Sequence, residues 1–219
     1  MNIGLMGGTF NPVHFGHLRI AEEAREAFGL ERVLFIPAAD PPHKPLAGGV
    51  SFSRRCEMVR LAIAGNPFFE LSDIEGERAG KSYSIDTINF FRTRFPDDRL
   101  CFIIGSDSFF EIGLWHRYAA IFSLCNIIVV ERPGRPVEMP LTALPVAIRG
   151  EFVYNPESNR LQHESGQFVH FLKGCPLDIS STAVRHLAAA GRSITDLVPS
   201  AVEAYINKQR IYNECLRKK

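Results

Sequence analysis

Short apolar runs alternate with segments of helical period along this chain, and this alternation constrains the fold more than any other feature. The runs at residues 3–6, 33–36, 100–104 and 126–130 are typical of strands covered on both faces. Residues 18–28 place small and apolar side chains on one helical face. Strands separated by helix-length segments predict βαβ units with right-handed crossovers. We therefore expect an α/β fold with a mainly parallel sheet of five or six strands and helices on both faces.

The later elements indicate how the single domain is completed. The other predicted elements are helices at residues 53–64, 84–95, 181–190 and 200–212, and strands at residues 68–72, 152–154 and 168–172. The last two strands flank a polar turn, which predicts a hairpin-like insertion at about residues 150–172. The last two helices would form a small C-terminal helical part. With 219 residues, and roughly 150 residues per domain as a guide, we expect one domain covering residues 1–219.

Charge and cysteine content exclude several classes of protein. Twenty-five Lys and Arg balance 24 Asp and Glu, whereas a nucleic-acid binder usually carries a basic excess. No apolar run reaches the roughly 20 residues of a membrane span, and residues 1–10 lack the basic segment of a signal peptide. The five cysteines have neither zinc-ligand nor redox-motif spacing. We expect a reduced cytoplasmic protein without a structural metal, a nucleic-acid partner or a membrane.

A glycine-rich turn follows the first predicted strand and leads into the first helix. Gly7 and Gly8 let the backbone approach a ligand closely, and a helix N-terminus offers unpaired N–H groups to a phosphate. His14 and His17 are three residues apart and would share one face of the first turn, where imidazoles could donate to anionic oxygens. A plain glycine turn with two surface histidines stays open, as does a metal pair, although no carboxylate completes a ligand set.

A second helix start, near residue 180, could also bind an anion. Ser180 or Ser181 is suited to cap this helix, and successive hydroxyl and amide groups would face the ligand. Arg185 lies one turn into the helix. An ordinary capped helix with an exposed arginine is the alternative interpretation.

Polar residues also follow the most hydrophobic predicted strand, residues 100–104. Asp107 comes just after Gly105 and could accept hydrogen bonds from a ribose or a base. Trp115 is the only tryptophan and lies a few residues later. Alternatively, Asp107 caps a helix and Trp115 belongs to the core.

The loop at residues 37–50 carries a cation on a stiff support. It holds four prolines and two glycines, which exclude regular structure. Lys44 stands between two of these prolines, next to His43. Such a lysine could reach a phosphate, or it could be a solvated surface residue.

Together these motifs resemble those of the nucleotidyltransferase superfamily. Residues 7–17, GGTFNPVHFGH, are similar to its N-terminal motif, and residues 179–185, ISSTAVR, to the C-terminal partner of that motif. Between them stand PHK at residues 42–44, SYSIDT at residues 82–87, Gly105-x-Asp107 and Trp115. In the order and spacing of these motifs, the chain resembles the bacterial nicotinate-nucleotide adenylyltransferases nearly from end to end.

The resemblance implies a Rossmann-like nucleotidyltransferase fold and a reaction in NAD biosynthesis. Nicotinate mononucleotide and ATP, the expected small-molecule partners, would give deamido-NAD and pyrophosphate. The 5′-phosphate of the mononucleotide would attack the α-phosphorus of ATP in line, with Mg²⁺ carried by the triphosphate. By this resemblance no covalent enzyme intermediate would form, so positioning and electrostatics would supply the catalysis.

The resemblance also assigns roles to individual residues. ATP would contact Gly7, Gly8, Thr9, Phe10, His17, Gly105, Asp107, Ser180, Thr182 and Arg185. The catalytic residues would be His14, His17, Lys44 and Arg185. The mononucleotide would contact Lys44, Ser84, Trp115 and His116. No residue is expected to bind a metal directly. Asn11 stands where many superfamily members carry Asp, and we assign it no catalytic role.

Other functions remain open at this point. A sister enzyme could use nicotinamide mononucleotide, phosphopantetheine or a CTP-activated alcohol phosphate. A non-catalytic nucleotide sensor could share the fold, although such a binder could lose His14, His17 and Arg185, which are present here. Residues 135–172 match no motif, and the sequence leaves homo-oligomer formation open.

Overall fold

The computed structural model of the chain describes residues 1–42, 49–132, 134, 136–174 and 177–212. The strands are β1 (Asn2–Gly8), β2 (Arg32–Pro37), β3 (Phe69–Leu71), β4 (Arg99–Gly105), β5 (Asn126–Glu131), β6 (Phe152–Asn155), β7 (Arg160–His163) and β8 (Phe168–Lys173). The helices are α1 (Phe15–Phe28), α2 (Phe52–Ile63), α3 (Ile74–Glu77), α4 (Ser84–Arg94), α5 (Ser106–Phe110), α6 (Tyr118–Leu124), α7 (Pro140–Ala143), α8 (Ser181–Ala189) and α9 (Ser200–Lys208). Short 3₁₀ helices span Ile112–Leu114 and Val146–Glu151.

The strands form one eight-stranded sheet in the order β3-β2-β1-β4-β5-β8-β7-β6. The pairs β1–β4, β4–β5 and β5–β8 are parallel, and β6, β7 and β8 form an antiparallel meander. The predicted α/β, Rossmann-like fold with a mainly parallel sheet is therefore confirmed. The predicted count of five or six strands is wrong, because the meander extends the same sheet through β8. The polar turn expected between residues 154 and 168 contains a strand of its own, β7.

The central strands explain the uninterrupted apolar runs. Ile127, Ile128, Val129 and Val130 of β5 are fully buried, as expected for a strand inside a parallel sheet. β1 pairs with β4 from Asn2↔Arg99 to Leu5↔Phe102. Because these neighbours are parallel, their carboxyl ends lie at the same edge of the sheet, as predicted for the strands that start at residues 3 and 100.

The chain divides into two compact units. The first unit comprises Met1–Gly7, Ile20–Val33 and Tyr83–Pro176, and the second comprises Gly8–Arg19, Leu34–Ser82 and Leu177–Lys219. The first unit contains the parallel strands β4, β5 and β8 with the meander. The second contains α2, which packs against α9, and the helix α8.

Helix boundaries follow the local hydrogen bonds. α1 begins at Phe15 rather than near residue 18, because the His14 carbonyl oxygen already accepts hydrogen bonds from the N–H groups of His17 (2.9 Å) and Leu18 (3.3 Å). α9 ends at Lys208 rather than near residue 212. Arg210 and Tyr212 beyond it have φ of +51° and +76°, a left-handed conformation that cannot continue a helix.

Several short elements were not predicted. α5, the 3₁₀ turn Ile112–Leu114 and α6 fill the connection from β4 to β5, and α7 lies in the proline-rich stretch before β6. Segments of three to seven residues show too little periodicity to be read from sequence. Within the described ranges, no helix has both the length and the apolar character needed to cross a bilayer.

Candidate functional site

The glycine-rich loop of the second unit is folded around Phe10. This ring is 1% exposed and contacts the rings of His17 and Phe35, with centroids 5.1 and 5.7 Å away. A Cβ atom on Gly8 would lie 2.9 Å from Phe10 Cζ. Gly8 thus makes room for the Phe10 side chain, so any contact of Phe10 with a ligand would involve its backbone.

The carbonyl groups of this loop are held by donors of the second unit. The four hydrogen bonds run from Ala38 N to Gly8 O (2.8 Å), Arg55 Nη1 to Thr9 O (2.8 Å), Arg185 Nη1 to Asn11 O (2.8 Å) and Ser181 Oγ to Pro12 O (2.9 Å). In a trans peptide group the C=O and the following N–H point in opposite directions. The N–H groups of Thr9, Phe10 and Val13 therefore point away from Ala38, Arg55 and Ser181 respectively. The Asn11 carbonyl is followed by Pro12, which has no N–H. Backbone N–H groups of such a glycine-containing loop can bind an anion.

The predicted histidine pair is brought together beside the loop. The rings of His14 and His17 lie 3.7 Å apart between centroids, inclined by 31°. The N–H of His14 donates to His17 Nδ1 (3.3 Å), so the neutral His17 ring carries its proton on Nε2. His14 precedes α1 rather than lying in its first turn, and it is buried.

Gly16 permits this arrangement of the histidines. A Cβ atom at residue 16 would lie 3.0 Å from His14 Nδ1 and 3.6 Å from the Ile179 carbonyl oxygen. The His14 ring thus packs directly against the backbone at the start of α1. The structure thereby explains why a glycine separates His14 from His17.

The start of α8 supplies the second predicted anion group. Ser180 caps the helix, as predicted, and accepts a hydrogen bond from the N–H of Ala183 (3.2 Å). Arg185 is half-buried and donates through Nη1 to Asn11 O and through Nη2 to Thr182 Oγ1 (3.0 Å). The structure therefore joins the C-terminal motif to the glycine-rich loop by direct hydrogen bonds within the second unit.

Sequence reasoning missed two side chains that support this loop. Arg55 of α2 is fully buried and holds the Thr9 carbonyl. Tyr212 donates through Oη to Asn11 Oδ1 (2.8 Å), which gives Asn11 a structural role that the sequence did not indicate. The pattern of α2 offered no signal, since an arginine there suits a solvated helical face.

In the first unit, a polar group follows β4. Gly105 caps α5, and Asp107 lies in the first turn of that helix rather than at its cap. Asp107 Oδ2 lies 3.5 Å from Arg132 Nη1, with the two side chains 45% and 37% exposed. The N–H of Arg132 donates to Ser106 Oγ (3.2 Å). This carboxylate is open to solvent at the carboxyl end of a parallel strand, where nucleotide ligands bind in such sheets.

Aromatic residues predicted for the mononucleotide lie in the same unit. Trp115 is half-buried and packs edge-on against Phe102, with centroids 6.1 Å apart. His116 is exposed and lies against Tyr83, with centroids 4.3 Å apart and planes inclined by 32°. Ser84, next to Tyr83, is the first residue of α4. Tyr83 is thus a further candidate that the sequence motif contained but to which we assigned no role.

Other predicted groups fall outside this geometry. Lys44 and His43 lie outside the described residues. Within the described ranges, no three His, Cys, Asp or Glu side chains are arranged to hold a metal ion.

Cys56, Cys101 and Cys125 are free and buried. Burial raises the pKa of these thiols to about 11, 11 and 12 respectively, which keeps them protonated at neutral pH.

The sequence is similar to that of known nucleotidyltransferases. It matches the model of the cytidylyltransferase-like family over residues 5–187. A Pelobacter propionicus protein named as a probable nicotinate-nucleotide adenylyltransferase is 70% identical over 215 residues, covering 98% of this chain and 100% of that protein. A Geotalea uraniireducens protein of the same name is 60% identical over 214 residues, covering 98% and 99%.

Solved structures share the fold at low sequence identity. Plasmodium falciparum nicotinic acid mononucleotide adenylyltransferase complexed with NaAD matches with a TM-score of 0.75 and 18% identity over 97% of each chain. The same protein complexed with APC matches with a TM-score of 0.73 and 17% identity over 97% of each chain. Both likenesses support the Rossmann-like architecture.

Proposed function

Because the chain belongs to the nicotinate-nucleotide adenylyltransferase family of cytidylyltransferase-like proteins, we propose that it makes deamido-NAD and pyrophosphate from ATP and nicotinate mononucleotide. The observation that carries this proposal is the glycine-rich loop of the second unit. Its carbonyls are tied to donors, and the loop is joined to His14, His17 and Arg185. Such a group of N–H, imidazole and guanidinium donors is suited to a triphosphate undergoing displacement.

The reaction needs no protein nucleophile. An oxygen of the mononucleotide 5′-phosphate forms a bond to the α-phosphorus of ATP, and the bond to the oxygen that bridges the α- and β-phosphorus breaks. Pyrophosphate leaves with that electron pair. The chain's residues would hold the two phosphates in line and stabilise the charge that develops on the transferred group.

We assign the stabilising contacts to specific donors. His17 would donate from Nε2, since its Nδ1 accepts the N–H of His14. The loop N–H groups and the positive end of α8 would bind the triphosphate, with Arg185 beside them. Lys44 stays a prediction as a further cation near the reacting phosphates.

Mg²⁺ belongs to this proposal as part of the substrate, MgATP. It neutralises phosphate charge during phosphoryl transfer. The described residues include no cluster of three candidate ligands, so we propose that phosphate oxygens and water supply most of the coordination.

The first unit would recognise the two nucleosides. We propose that Gly105 and Asp107 contact the adenosine, and that Ser84, Trp115 and His116 contact the pyridine ring. An indole can stack on a cationic pyridinium. N–H donors near Ser84 and His116 would favour a carboxylate over an amide, because an amide NH₂ also donates and would meet a donor.

A substrate panel read by pyrophosphate release tests the function. The expected result is turnover of nicotinate mononucleotide at a kcat/KM about 100-fold above that of nicotinamide mononucleotide. Equal values, or a preference for the amide, would move the chain to the nicotinamide-mononucleotide branch. Nucleotide binding without pyrophosphate release would make it a sensor instead.

Two further assignments rest on the sequence. We propose that residues 1–219 act as one nucleotidyltransferase domain, because each compact unit carries part of the motif set.

We also propose a reducing, cytoplasmic setting, supported by three free and buried cysteines. Mass spectrometry of the protein purified without reductant should find those three thiols unpaired. Sedimentation of the same sample would settle the oligomeric state.

A further inference from the structure

Arg55 is an unusual residue for the interior of the second unit. Its side chain is fully buried. The other buried residues of α2 are apolar: Cys56, Met58, Val59 and Ile63. Within the described part of the chain, no carboxylate forms an ion pair with its guanidinium. Burial lowers the pKa of Arg55, because desolvation disfavours the charged form. An apolar side chain of similar volume would avoid that cost.

Two backbone carbonyls and one ring surround the guanidinium. Nη1 donates to Thr9 O at 2.8 Å, and Nη2 donates to Ala39 O at 3.4 Å. The ring of Phe52 lies 5.6 Å from Cζ. Ala39 is fixed in turn by Ser82, whose Oγ accepts from the Ala39 N–H (2.9 Å). Arg55 therefore ties the turn after β1 to the turn after β2.

The contact with Thr9 determines the orientation of one peptide group. The N–H of Phe10 belongs to the same planar group as the Thr9 carbonyl and points the opposite way. The Phe10 ring is held under Gly8, so this peptide group is restrained on both sides. If the group turned over, the Thr9 carbonyl oxygen would replace the N–H and would repel an anion.

We propose that Arg55 is a positioning residue for the adenylyl transfer proposed above. By holding the Thr9 carbonyl inward, it keeps the Phe10 N–H available as a hydrogen-bond donor to the ATP triphosphate. The planar guanidinium serves Thr9 and Ala39 at once, which the single ammonium of a lysine cannot do in the same geometry. The inference rests on the proposed function, because it concerns the same triphosphate.

The first test uses the wild-type protein and the amide resonance of Phe10. We expect ATP to shift this ¹H–¹⁵N resonance and to slow its exchange with solvent, and adenosine to leave it unchanged. If ATP binds without moving the resonance, the role of Arg55 is wrong and the proposed function stands. If the wild-type protein fails to bind ATP, the proposed function fails as well.

The second test compares Arg55→Met and Arg55→Lys with a matched control, Arg54→Met. Arg54 is the exposed neighbour on α2. We expect Arg55→Met to weaken ATP binding about tenfold to a hundredfold and to leave adenosine binding unchanged. Arg55→Lys should fall between Arg55→Met and wild type, and Arg54→Met should match wild type.

The ratio of ATP to adenosine affinity separates positioning from a structural role. A merely structural arginine would lower the melting temperature and leave this ratio unchanged, which would overturn the proposal. If Arg55→Met does not fold, Arg55→Lys decides the question. A folded Arg55→Lys variant with wild-type ATP affinity and a wild-type Phe10 resonance shift would also overturn it.

Discussion

The phenol hydroxyl of Tyr212 donates a hydrogen bond of 2.8 Å to the side-chain oxygen of Asn11, across 201 positions of the sequence. Both residues are buried. Tyr212 has a φ of +76°, which is unfavourable for a residue with a side chain. Burial of Tyr212 and its hydrogen bond to Asn11 offset that local cost. The turn after α9 thus reaches the loop that we propose binds ATP.

Tyr212→Phe tests that link. The variant removes one hydrogen bond to a buried oxygen, so we expect the free energy of unfolding to fall by about 1 kcal/mol. Because the bond supports Asn11, kcat/KM for ATP should fall as well. Urea denaturation and steady-state kinetics measure the two effects. Tyr205→Phe, on α9, is the matched control, and an equal loss there would contradict the assignment.

His17→Ala should lower kcat far more than it weakens ATP binding. The loop amides and the start of α8 remain to bind ground-state phosphate, whereas the imidazole acts mainly on charge that develops during the reaction. Loss of one such donor typically costs about 3 kcal/mol, or roughly 100-fold in kcat. Kinetics and calorimetry with ATP check the split. His186→Ala, at an exposed position on α8, serves as the control. A raised KM with near-normal turnover would argue against this role.

Arg185→Lys should reduce kcat/KM by about tenfold or more. The guanidinium holds Asn11 O and Thr182 Oγ1 from one planar fork, and a lysine can replace only one of these contacts. It would also grip phosphate through a single point charge. Arg192→Lys, just after α8 and exposed, is the matched change. Wild-type kinetics in Arg185→Lys would show that Arg185 does not bind the phosphates during the reaction.

The buried strands β2, β4 and β5 were predictable to within one residue, whereas β1 continues to Gly8, two residues beyond the predicted run. The apolar runs at residues 100–104 and 126–130 correspond to β4 and β5, because a strand covered on both faces has no polar position to interrupt it. β7 could not be found this way. One of its two buried positions is His163, which is held by Ser165 Oγ (2.8 Å) and Glu151 Oε2 (3.1 Å). Sequence patterning counts that histidine as polar.

The candidate site was predictable where motifs lie at element ends. The structure places the rings of His14 and His17 against each other and bonds Arg185 to the Asn11 carbonyl, all within the second unit. The positions of these residues beside glycines and helix starts had made them candidates. Arg55 and Tyr212 were not predictable. Each acts by meeting a residue distant in sequence, and neither lies in a motif whose residue types require that contact.

Trp115→Ala should weaken both mononucleotides to a similar extent, by about tenfold in KM. Stacking recognises a flat cationic ring, which the acid and the amide share. Ser84→Ala should keep most of the preference for the acid, since backbone N–H groups would supply it. Comparison of kcat/KM for the two mononucleotides measures both effects. Leu114→Ala is the control, because Leu114 adjoins Trp115 and is 72% exposed. A selective loss of the acid in Trp115→Ala would contradict stacking.

His170 of β8 should make the protein less stable in mild acid. It lies against the rings of Phe28 and Phe168, with centroids 4.8 and 5.8 Å away, and opposite Arg160 of β7. Burial, followed by the charges of Arg160 and Arg99, lowers the pKa of His170 from 6.5 to about 4. Between pH 6.5 and pH 4, therefore, the His170 ring stays neutral in the folded protein, whereas it is protonated in the unfolded chain.

The sign of the resulting pH effect follows from proton binding. Between pH 6.5 and pH 4 the unfolded state binds more protons at residue 170, so the free energy of unfolding falls as the pH falls. At about 1.4 kcal/mol per pH unit, the contribution of this group reaches at most about 3 kcal/mol. His170→Gln removes the titration and should flatten the pH dependence of stability over that window. Carboxylates titrate in both proteins, so the difference between their urea denaturation curves at pH 7 and pH 4.5 isolates the histidine. Parallel losses of stability in the two proteins would show that His170 is protonated in the folded state at little cost.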